Sequence, residues 1–393
     1  MVAGAEDNNQ ARFDRARIAT LIADSQPDDP LAILRPEVLR RTAQSFLCGF
    51  PGQVSYAVKA NPAPDILRIL VQTGVTVFDV ASVPEMRAVR AICPTARLHY
   101  HNPVRSASEI AQAKALSVAS WSVDRMSELD KLGDLPKGTE VAVRLSLKRG
   151  GAAYDFGSKF GASPDVATNL LRAVAARGMI PTVTFHPGTQ CTDPASWADY
   201  IAASEEVSAR AGVHLSALNV GGGFPSRPRG GAALRERLFK TIEAATKAHF
   251  PNQPPRLWCE PGRAMVAEAV WLVLRVKARG DGALTLNDGL YGALGEWRDM
   301  PVPSRQIALT AQGQPVSGKP QPFTIFGPTC VSLDRVPDPW TLPDGIADGD
   351  YILITGAGAY STALVTPFNG YGTTDLRNLD SMPEPAGQCR LAG

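Results

Sequence analysis

Residues 54–81 read VSYAVKANPAPDILRILVQTGVTVFDVA, and this stretch decides the fold. A short run of β-branched and aromatic residues leads into a turn. Apolar residues then recur at helical spacing, and a second strand-like run follows. Strands that alternate with helices in this way are typical of a parallel sheet, so we expect an α/β protein.

The same unit recurs from residue 54 to residue 263. Eight segments are strand candidates: Val54–Ala60, Thr76–Ala81, Arg97–Asn102, Ala119–Asp124, Glu140–Leu147, Pro181–His186, Ala217–Gly221 and Arg256–Glu260. Amphipathic helices are predicted between them, among others at Asp65–Thr73, Pro84–Ile92, Ala107–Ala115, Pro164–Arg177, Trp197–Ala211 and Ala233–His249. Eight alternations predict a (β/α)₈ barrel, which carries its active site at the carboxyl ends of the strands.

Beyond Arg263 the pattern changes to strands separated by Gly and Pro turns, beginning with a strand expected at Val266–Val276. Strong helical periodicity does not return. We therefore predict a barrel domain at residues 35–263 and a β-rich C-terminal domain at residues 264–393. The N-terminal residues 1–34, with a strand-like run at Leu31–Leu34, are expected to complete the second domain.

Composition excludes several classes of function. Basic and acidic residues number 40 and 38 without long runs of one sign, which argues against nucleic-acid binding. The polar N-terminus has no apolar signal region, and no stretch approaches the roughly 20 apolar residues of a membrane span, so we expect a cytoplasmic protein. Six scattered cysteines without a CxxC pair predict neither a disulfide framework nor a metal site. The expected partner is a small-molecule substrate.

Polar residues end the predicted strands, where barrel chemistry occurs: Lys59, Asp79, Asn102, Asp124, Arg144, His186, Glu260 and Arg263. Lys59 follows an apolar strand, and desolvation there would lower its pKa and free a nucleophilic amine for imine formation. A lysine that extends from a strand end into solvent is the alternative for this residue alone.

Three further motifs have a functional and a structural interpretation. Gly221-Gly222-Gly223 follows the seventh strand, where backbone N–H groups could bind a phosphate, although a tight turn explains the glycines equally well. Glu260-Pro-Gly-Arg263 offers a carboxylate and a guanidinium, or else a structural ion pair. His186 and Thr189 place an imidazole and a hydroxyl at the same rim, and a buried core histidine is the alternative.

Together these motifs resemble the fold type III decarboxylases that use pyridoxal 5'-phosphate (PLP), the ornithine, lysine, diaminopimelate and arginine decarboxylase family. The resemblance runs from about Tyr56 to Tyr371 and is strongest to the ornithine/lysine branch. The matching motifs are Tyr-Ala-Val-Lys-Ala-Asn (56–61), Phe-Asp-Val-Ala-Ser (78–82) with Glu85, Ser-Lys-Phe-Gly (158–161), His-Pro-Gly-Thr (186–189), Gly-Gly-Gly-Phe-Pro (221–225), Glu-Pro-Gly-Arg (260–263), Gly-Pro-Thr-Cys (327–330), Gly-Ala-Tyr (358–360) and Phe-Asn-Gly-Tyr (368–371).

The resemblance implies a PLP-binding barrel and assigns a role to each matching residue. Lys59 would carry the cofactor as a Schiff base, Glu260 would bind the pyridine nitrogen, and His186 would stack on the ring. The phosphate would be held by Thr189, Gly222, Gly223, Gly262, Arg263 and Tyr360, with Asp79, Glu85 and Arg144 around the Schiff base.

By the same resemblance, Cys330 reaches the active site of a second subunit and acts there as the fourth catalytic residue with Lys59, His186 and Glu260. A homodimer with shared sites follows, although an inert thiol is the alternative for Cys330 alone. The expected reaction turns an ornithine-like, lysine-like or modified basic amino acid into an amine and CO₂, as in polyamine biosynthesis.

One residue departs from the family pattern. Ornithine and lysine decarboxylases have an aspartate after this cysteine that helps to bind the distal ammonium of the substrate, and here Val331 stands in its place. Glu296, Asp299 and Asp334 are the other candidates for substrate binding. Two alternatives stay open beside the decarboxylase: an amino-acid racemase that carries PLP on the same strand, and an inactive homologue that binds a regulator.

Overall fold

The computed structural model describes residues 2–147, 159–226, 232–300, 306–372 and 375–382. The chain divides into two compact units, one made of residues 39–266 and the other of residues 1–38 and 267–393. None of the described helices is long and apolar enough to cross a membrane.

Three elements open the chain: helix α1 (Val2–Ser25), strand β1 (Leu31–Leu34) and helix α2 (Pro36–Gly49). The first unit then contains a closed barrel of eight parallel strands. These are β2 (Gln53–Ala57), β3 (Val77–Val80), β4 (Arg97–Tyr100), β5 (Ser120–Val123), β6 (Glu140–Arg144), β7 (Ile180–Thr184), β8 (Ala217–Asn219) and β9 (Arg256–Cys259). The predicted α/β barrel is confirmed.

The helices of this unit lie between the strands in sequence: α3 (Pro64–Thr73), α4 (Val83–Ile92), α5 (Ala107–Ala115), α6 (Met126–Lys131), α7 (Pro164–Ala176), α8 (Ala195–Ala211), α9 (Ala232–His249) and the short α10 (Arg263–Val266). Their ends follow local chemistry. Pro64 starts α3, and Gly74, with φ of 106°, ends it. Ser106 and Glu109 form a capping box at the start of α5.

The barrel strands end earlier than the sequence predicts, so Lys59, His186 and Glu260 follow their strands, whereas Asp79 and Arg144 remain within theirs. Lys59 was expected in a strand running to Ala60, but β2 ends at Ala57 and residues Val58–Ala60 form a 3₁₀ turn. The Tyr56 hydroxyl donates to the Asn61 carbonyl oxygen at 2.9 Å and holds this turn closed. The lysine therefore stands at the rim of the barrel and not within its wall.

The second unit is built on β10 (Val270–Gly280), β11 (Ala283–Leu286), β12 (Gln306–Leu309), β13 (Pro320–Phe326), β14 (Trp340–Pro343), β15 (Tyr351–Ile354) and β16 (Leu376–Asn378). The sheet order is β12-β15-β10-β11-β13-β14, and β1 adds to it by pairing antiparallel with β10 and parallel with β16. Short 3₁₀ turns lie at Gly295–Arg298, Thr362–Leu364, Phe368–Gly370 and Leu379–Ser381. The predicted β-rich domain is confirmed as part of the fold.

Two local expectations are corrected. The strand predicted from Val266 begins at Val270, because Arg263–Val266 is helical and Ala267–Ala269 is a 3₁₀ turn. This alanine-rich run is buried, so apolar character alone did not distinguish a strand from a helix. Helix α1 was not predicted; its Ile18 and Ile22 pack in the core cluster that contains Trp271.

Candidate active site

The rim at the carboxyl ends of the barrel strands brings Lys59 next to Asp79, the third residue of β3. Lys59 Nζ lies 3.9 Å from Asp79 Oδ2, and the lysine side chain is 47% exposed while the aspartate is buried. Burial and the nearby charge of Glu260 raise the pKa of Asp79, and the positive charge of Lys59 only partly offsets them. An accessible amine thus stands beside a carboxylate that is costly to ionise.

Glu260 follows β9 and lies at the centre of a buried hydrogen-bond network. His101 Nδ1 and Asn219 Nδ2 both lie 2.5 Å from Glu260 Oε1. Burial raises the pKa of Glu260, but His101, Lys59 and the Asn219 amide together outweigh burial and lower it. The site therefore keeps this one carboxylate ionised.

The glycine run after β8 packs too tightly to admit side chains. A Cβ on Gly221, which has φ of +68°, would lie 2.0 Å from the Phe185 carbonyl oxygen. A Cβ on Gly223 would lie 2.2 Å from the Gly188 carbonyl oxygen, and one on Gly222 would lie 2.6 Å from the Glu260 carbonyl oxygen. Only glycine fits such a close approach of loops, which leaves a cradle of backbone at the rim.

His186 lies against this cradle, because a Cβ on Gly222 would stand 3.3 Å from its Nε2. Its Nδ1 accepts a hydrogen bond from the Gly188 amide at 3.1 Å, which leaves the proton of the neutral ring on Nε2. Burial, together with the charges of Lys59 and Arg144, lowers the pKa of His186 to about 3. The imidazole is therefore neutral throughout the physiological range. Thr189, three residues after His186, is half-buried.

The Glu260-Pro-Gly-Arg motif packs on the turn that carries Lys59. A Cβ on Gly262 would lie 3.0 Å from the Ala60 Cβ and 3.1 Å from the Ala57 Cβ, and Arg263 opens helix α10 directly after it. Arg144, at the end of β6, stands over the Phe160 ring at 5.4 Å, and burial lowers its pKa. Ser158 of the predicted Ser-Lys-Phe-Gly motif lies outside the described residues.

Glu85 has a local role in the structure. Its carboxylate accepts a hydrogen bond from the Ala81 amide at 2.7 Å, and its own amide lies 3.5 Å from Ser82 Oγ, so it caps helix α4. Burial raises the pKa of Glu85 despite that backbone bond. The structure thus places Glu85 in the first turn of helix α4, six residues beyond Asp79.

In the β unit, Cys330 is exposed. Its Sγ lies 3.5 Å from Asn369 Oδ1, and the Cys330 amide donates to the same oxygen at 3.4 Å. Asn369 adopts φ of +54°, an unusual conformation for a residue other than glycine. Val331, the residue after Cys330, is half-buried. Tyr360, the predicted phosphate ligand of this unit, also has a positive φ of 58°.

The three acidic candidates for substrate binding differ in exposure. Asp334 is 1% exposed, and its carboxylate accepts hydrogen bonds from the Leu290 amide at 2.7 Å and from the Thr329 hydroxyl at 2.7 Å. These bonds assign Asp334 to holding two loops together. Glu296 is half-buried and Asp299 is exposed, so these two are more available to a ligand.

Sequence reasoning missed His101 and Asn219, both of which contact Glu260. His101 directly precedes Asn102, which was already a strand-end candidate. Asn219 is separated from the glycine run by the single residue Val220. Each lies in a segment already known to reach the rim. A rule that counts every polar residue within two positions of a strand end would have found both.

The residues present fit PLP. Lys59 provides an amine beside the rim, Glu260 provides an ionised carboxylate for a ring nitrogen, and the cradle at Gly221–Gly223 provides room for a phosphate that a single Cβ would fill. Asp79, His101 and Glu260 also offer ligand atoms within 4.8 Å of one another, as a metal site would. The comparisons with known proteins favour PLP.

The family model for the "Pyridoxal-dependent decarboxylase, pyridoxal binding domain" matches residues 37–267. The lysine/ornithine decarboxylase of Selenomonas ruminantium is 32% identical over 347 residues, with 85% of each chain covered. The solved structure of SrLDC in complex with PLP and cadaverine is 29% identical with a TM-score of 0.78, covering 93% of this chain and 94% of that one. The lysine/ornithine decarboxylase of Vibrio vulnificus complexed with putrescine is 26% identical with a TM-score of 0.75, covering 89% and 94%.

Proposed function

The chain belongs to the pyridoxal-dependent decarboxylase family, and on that premise we propose that it decarboxylates a basic or modified basic amino acid with Lys59 as the residue that carries PLP. That it is a PLP-dependent amino-acid decarboxylase follows from its relatives. The residue roles and the choice of substrate are the proposal. The observation that carries it is the Lys59 amine, which lies 3.9 Å from Asp79 on the rim that also holds Glu260.

PLP, when bound, supplies an electron sink for the pair left behind as CO₂ departs. Glu260 keeps its negative charge and would hold the ring nitrogen of the cofactor by accepting a hydrogen bond from its N–H. Asp79 faces Lys59 Nζ and keeps the amine in place. His186 is neutral and presents a flat ring face, which excludes water from one side of the site without adding a charge.

The phosphate group is assigned to the backbone cradle of Gly222 and Gly223, with Gly262, Arg263, Thr189 and Tyr360 as further ligands. Backbone N–H groups in such a nest favour an anion, and a guanidinium matches its geometry. Arg144 remains charged at neutral pH and offsets part of the negative charge of Asp79 and Glu260.

We assign Cys330 to a site shared between two copies of the chain. Its thiol is exposed. Leu333, three residues along the chain, is 76% exposed, and Phe368, which precedes the Cys330 contact residue Asn369, is 39% exposed. Exposed apolar side chains such as these are typical of a surface that a second subunit covers. In that position the Cys330 thiol would donate a proton to the substrate carbon from which CO₂ departs.

Replacing Cys330 by Ala tests this role. We expect turnover to fall by about 10²–10⁴-fold, the usual contribution of a general acid. Part of the product should appear as an aldehyde, because a proton added at the cofactor's carbon in place of the substrate's carbon would leave the amino group on the cofactor, and water would then release the rest of the substrate as an aldehyde. Product analysis by mass spectrometry measures the partition.

Mixing Cys330→Ala with Lys59→Ala tests the sharing. A heterodimer of the two variants contains one site with both residues intact, so activity should return after subunit exchange. Continued inactivity of the mixture, once exchange has been confirmed, contradicts a shared site.

The substrate is narrowed by Val331. An apolar side chain cannot pair with the distal ammonium of ornithine, and leaving that charge unpaired in a closed pocket costs several kcal/mol. Glu296 and Asp299 are the acids available to compensate, since Asp334 is committed to its loops. A basic amino acid whose distal amine is masked by a modification, or one with a longer side chain, fits Val331 best. If Glu296 or Asp299 binds an unmodified distal ammonium, the product is a diamine and the reaction belongs to polyamine biosynthesis.

The test is CO₂ release over a panel of basic, acylated and acidic amino acids, measured for the wild type and for Val331→Asp. A new charge-assisted hydrogen bond contributes about 1.5–3 kcal/mol, so kcat/KM for ornithine should rise about ten- to a hundred-fold relative to the preferred substrate. Val166→Asp, the same substitution at a side chain on helix α7 that is 42% exposed, is the matched control and should change nothing. Equal and full ornithine efficiency in wild type and Val331→Asp would overturn the assignment of this position.

A further inference from the structure

Three buried polar side chains, His101, Ser120 and Asn219, form one connected network with Glu260. His101 Nδ1 lies 2.5 Å from Glu260 Oε1, and His101 Nε2 lies 3.0 Å from Ser120 Oγ. Asn219 Nδ2 donates to the same Glu260 oxygen at 2.5 Å, and Asn219 Oδ1 accepts from the Gly221 amide at 2.9 Å. The network therefore runs from the barrel interior through the carboxylate to the glycine cradle.

The protein atoms themselves fix the direction of these bonds. An ionised carboxylate only accepts, so the proton between His101 and Glu260 stands on Nδ1. Ser120 then sets the other end of the ring through Nε2, which locks both the tautomer and the ring plane. Within the described part of the chain, the hydrogen bonds from His101 and Asn219 end on the same oxygen, Oε1. Two donors on one oxygen restrict the rotation of the carboxylate.

His101 is 6% exposed, Asn219 4% and Ser120 3%. Burial of three polar side chains around one carboxylate costs free energy unless each is hydrogen-bonded, and here each is. A barrel core needs none of them for packing, since apolar residues would fill the space at lower cost. The arrangement is therefore explained better by what it does to Glu260 than by stability.

We propose that His101, supported by Asn219, is a positioning residue that fixes the Glu260 carboxylate for its bond to the cofactor's ring nitrogen. The inference rests on the proposed function, in which Glu260 binds that nitrogen. His101 acts through Glu260 and does not touch the reacting atoms. It should therefore matter only for a ligand that presents a ring nitrogen to Glu260.

The experiment compares two ligands that differ at this one atom. Full-length protein freed of cofactor is titrated with PLP and with the deaza analogue of PLP, in which a C–H replaces the ring nitrogen. The affinity ratio of the two ligands reports the bond to the nitrogen and is independent of catalysis. In the wild type we expect PLP to bind about ten- to a hundred-fold more tightly, the worth of a hydrogen bond to a charged group.

In His101→Ala the ratio should fall about tenfold, because the carboxylate loses its orientation. His101→Asn should keep the ratio within about threefold of the wild type, since an asparagine amide places an N–H near the position of Nδ1. His99→Asn is the matched control: His99 lies two residues earlier on β4, stacks on His101 with ring centroids 5.2 Å apart, and should leave the ratio unchanged. If His101→Ala does not fold, His101→Gln, which moves the amide away from that position, replaces it.

Glu260→Ala separates the two levels of the account. If the affinity ratio falls to about one in Glu260→Ala and decreases about tenfold in His101→Ala, the role of Glu260 and the positioning role of His101 are both supported. A ratio that falls in Glu260→Ala but stays at the wild-type value in His101→Ala overturns the positioning role alone. A ratio that does not fall in Glu260→Ala overturns the assigned role of Glu260 and, with it, this inference.

Discussion

The two ends of the barrel carry charged clusters that are built in opposite ways. At the amino ends of the strands, Glu140 receives Arg97 and Arg256, each at 2.8 Å, so one carboxylate meets two guanidinium groups. At the carboxyl ends, Asp79 and Glu260 crowd around one amine, Lys59, and burial together with the charge of Glu260 raises the pKa of Asp79.

The difference separates structural charge from functional charge. At the amino end Glu140 pairs with both Arg97 and Arg256, an arrangement that stabilises the fold. At the carboxyl end two carboxylates compete, and the protein stores unfavourable electrostatics in the place where barrel enzymes carry out chemistry. Substitutions at the two ends should therefore have opposite effects on stability and activity.

The largest effect is expected for Lys59→Ala. Decarboxylation should fall by a thousandfold or more, on the order seen when a covalent catalytic residue is removed. The free energy of unfolding should stay within about 0.5 kcal/mol of the wild type, because a half-exposed side chain is lost. Assays of CO₂ release and chemical denaturation measure the two quantities. Lys240→Ala, an exposed helix residue, is the control, and substantial activity in Lys59→Ala contradicts the assignment.

At the opposite end, Glu140→Gln should do the reverse. Two guanidinium groups lose their charged partner, so we expect unfolding to become easier by about 1–3 kcal/mol. kcat should stay within about twofold, because the amino end of the barrel takes no part in the reaction. Glu243→Gln removes an exposed pair with Lys247 and should cost no more than about 0.5 kcal/mol. A large loss of kcat without a loss of stability in Glu140→Gln would break the comparison.

The smallest effect is expected for Asp79→Asn, and its sign is the informative part. Because folding raises the pKa of Asp79 above its ordinary value of 3.8, the folded state retains a proton that the unfolded chain loses. Stability from this group therefore falls as pH rises above about 3.8. Asp79→Asn should match the wild type at low pH and exceed it by about 1 kcal/mol at neutral pH, with reduced activity.

Urea unfolding at several pH values measures how the stability difference between Asp79→Asn and the wild type grows with pH. A constant stability difference across the pH range would show that the effect comes from packing and not from the carboxylate. Lower stability of Asp79→Asn at neutral pH would contradict the claim that this end of the barrel stores unfavourable charge.

Much of the fold could be predicted from the sequence, because the alternation of strand-like and helical segments is strong between residues 54 and 263. The rule that barrel chemistry lies at the carboxyl ends of strands predicts Lys59, His186 and Glu260 on one rim. Helix α1 escaped because its Val2–Ser25 segment is polar and lacks a continuous apolar stripe. Helix α2 was overlooked although Pro36 starts it and Leu39, Ala43 and Phe46 form a buried face.

The network around Glu260 could not be predicted in the same way. His101 and Asn219 lie 159 and 41 positions from Glu260 in the sequence, and each alone is an ordinary polar residue. Asn219 reaches Glu260 because β8 pairs directly with β9, whereas His101, which follows β4, reaches it only because the barrel closes by joining β2 to β9. Chemistry that depends on three strands meeting is visible only when their register is known.

Chemical trapping of the cofactor tests the central claim most directly. The purified protein is loaded with PLP, reduced with borohydride, digested and mapped by mass spectrometry. The account predicts one pyridoxyl group per chain on the peptide that contains Lys59, and none on that peptide in Lys59→Ala. A pyridoxyl group on another lysine, or no stable label on a protein that releases CO₂, would contradict it.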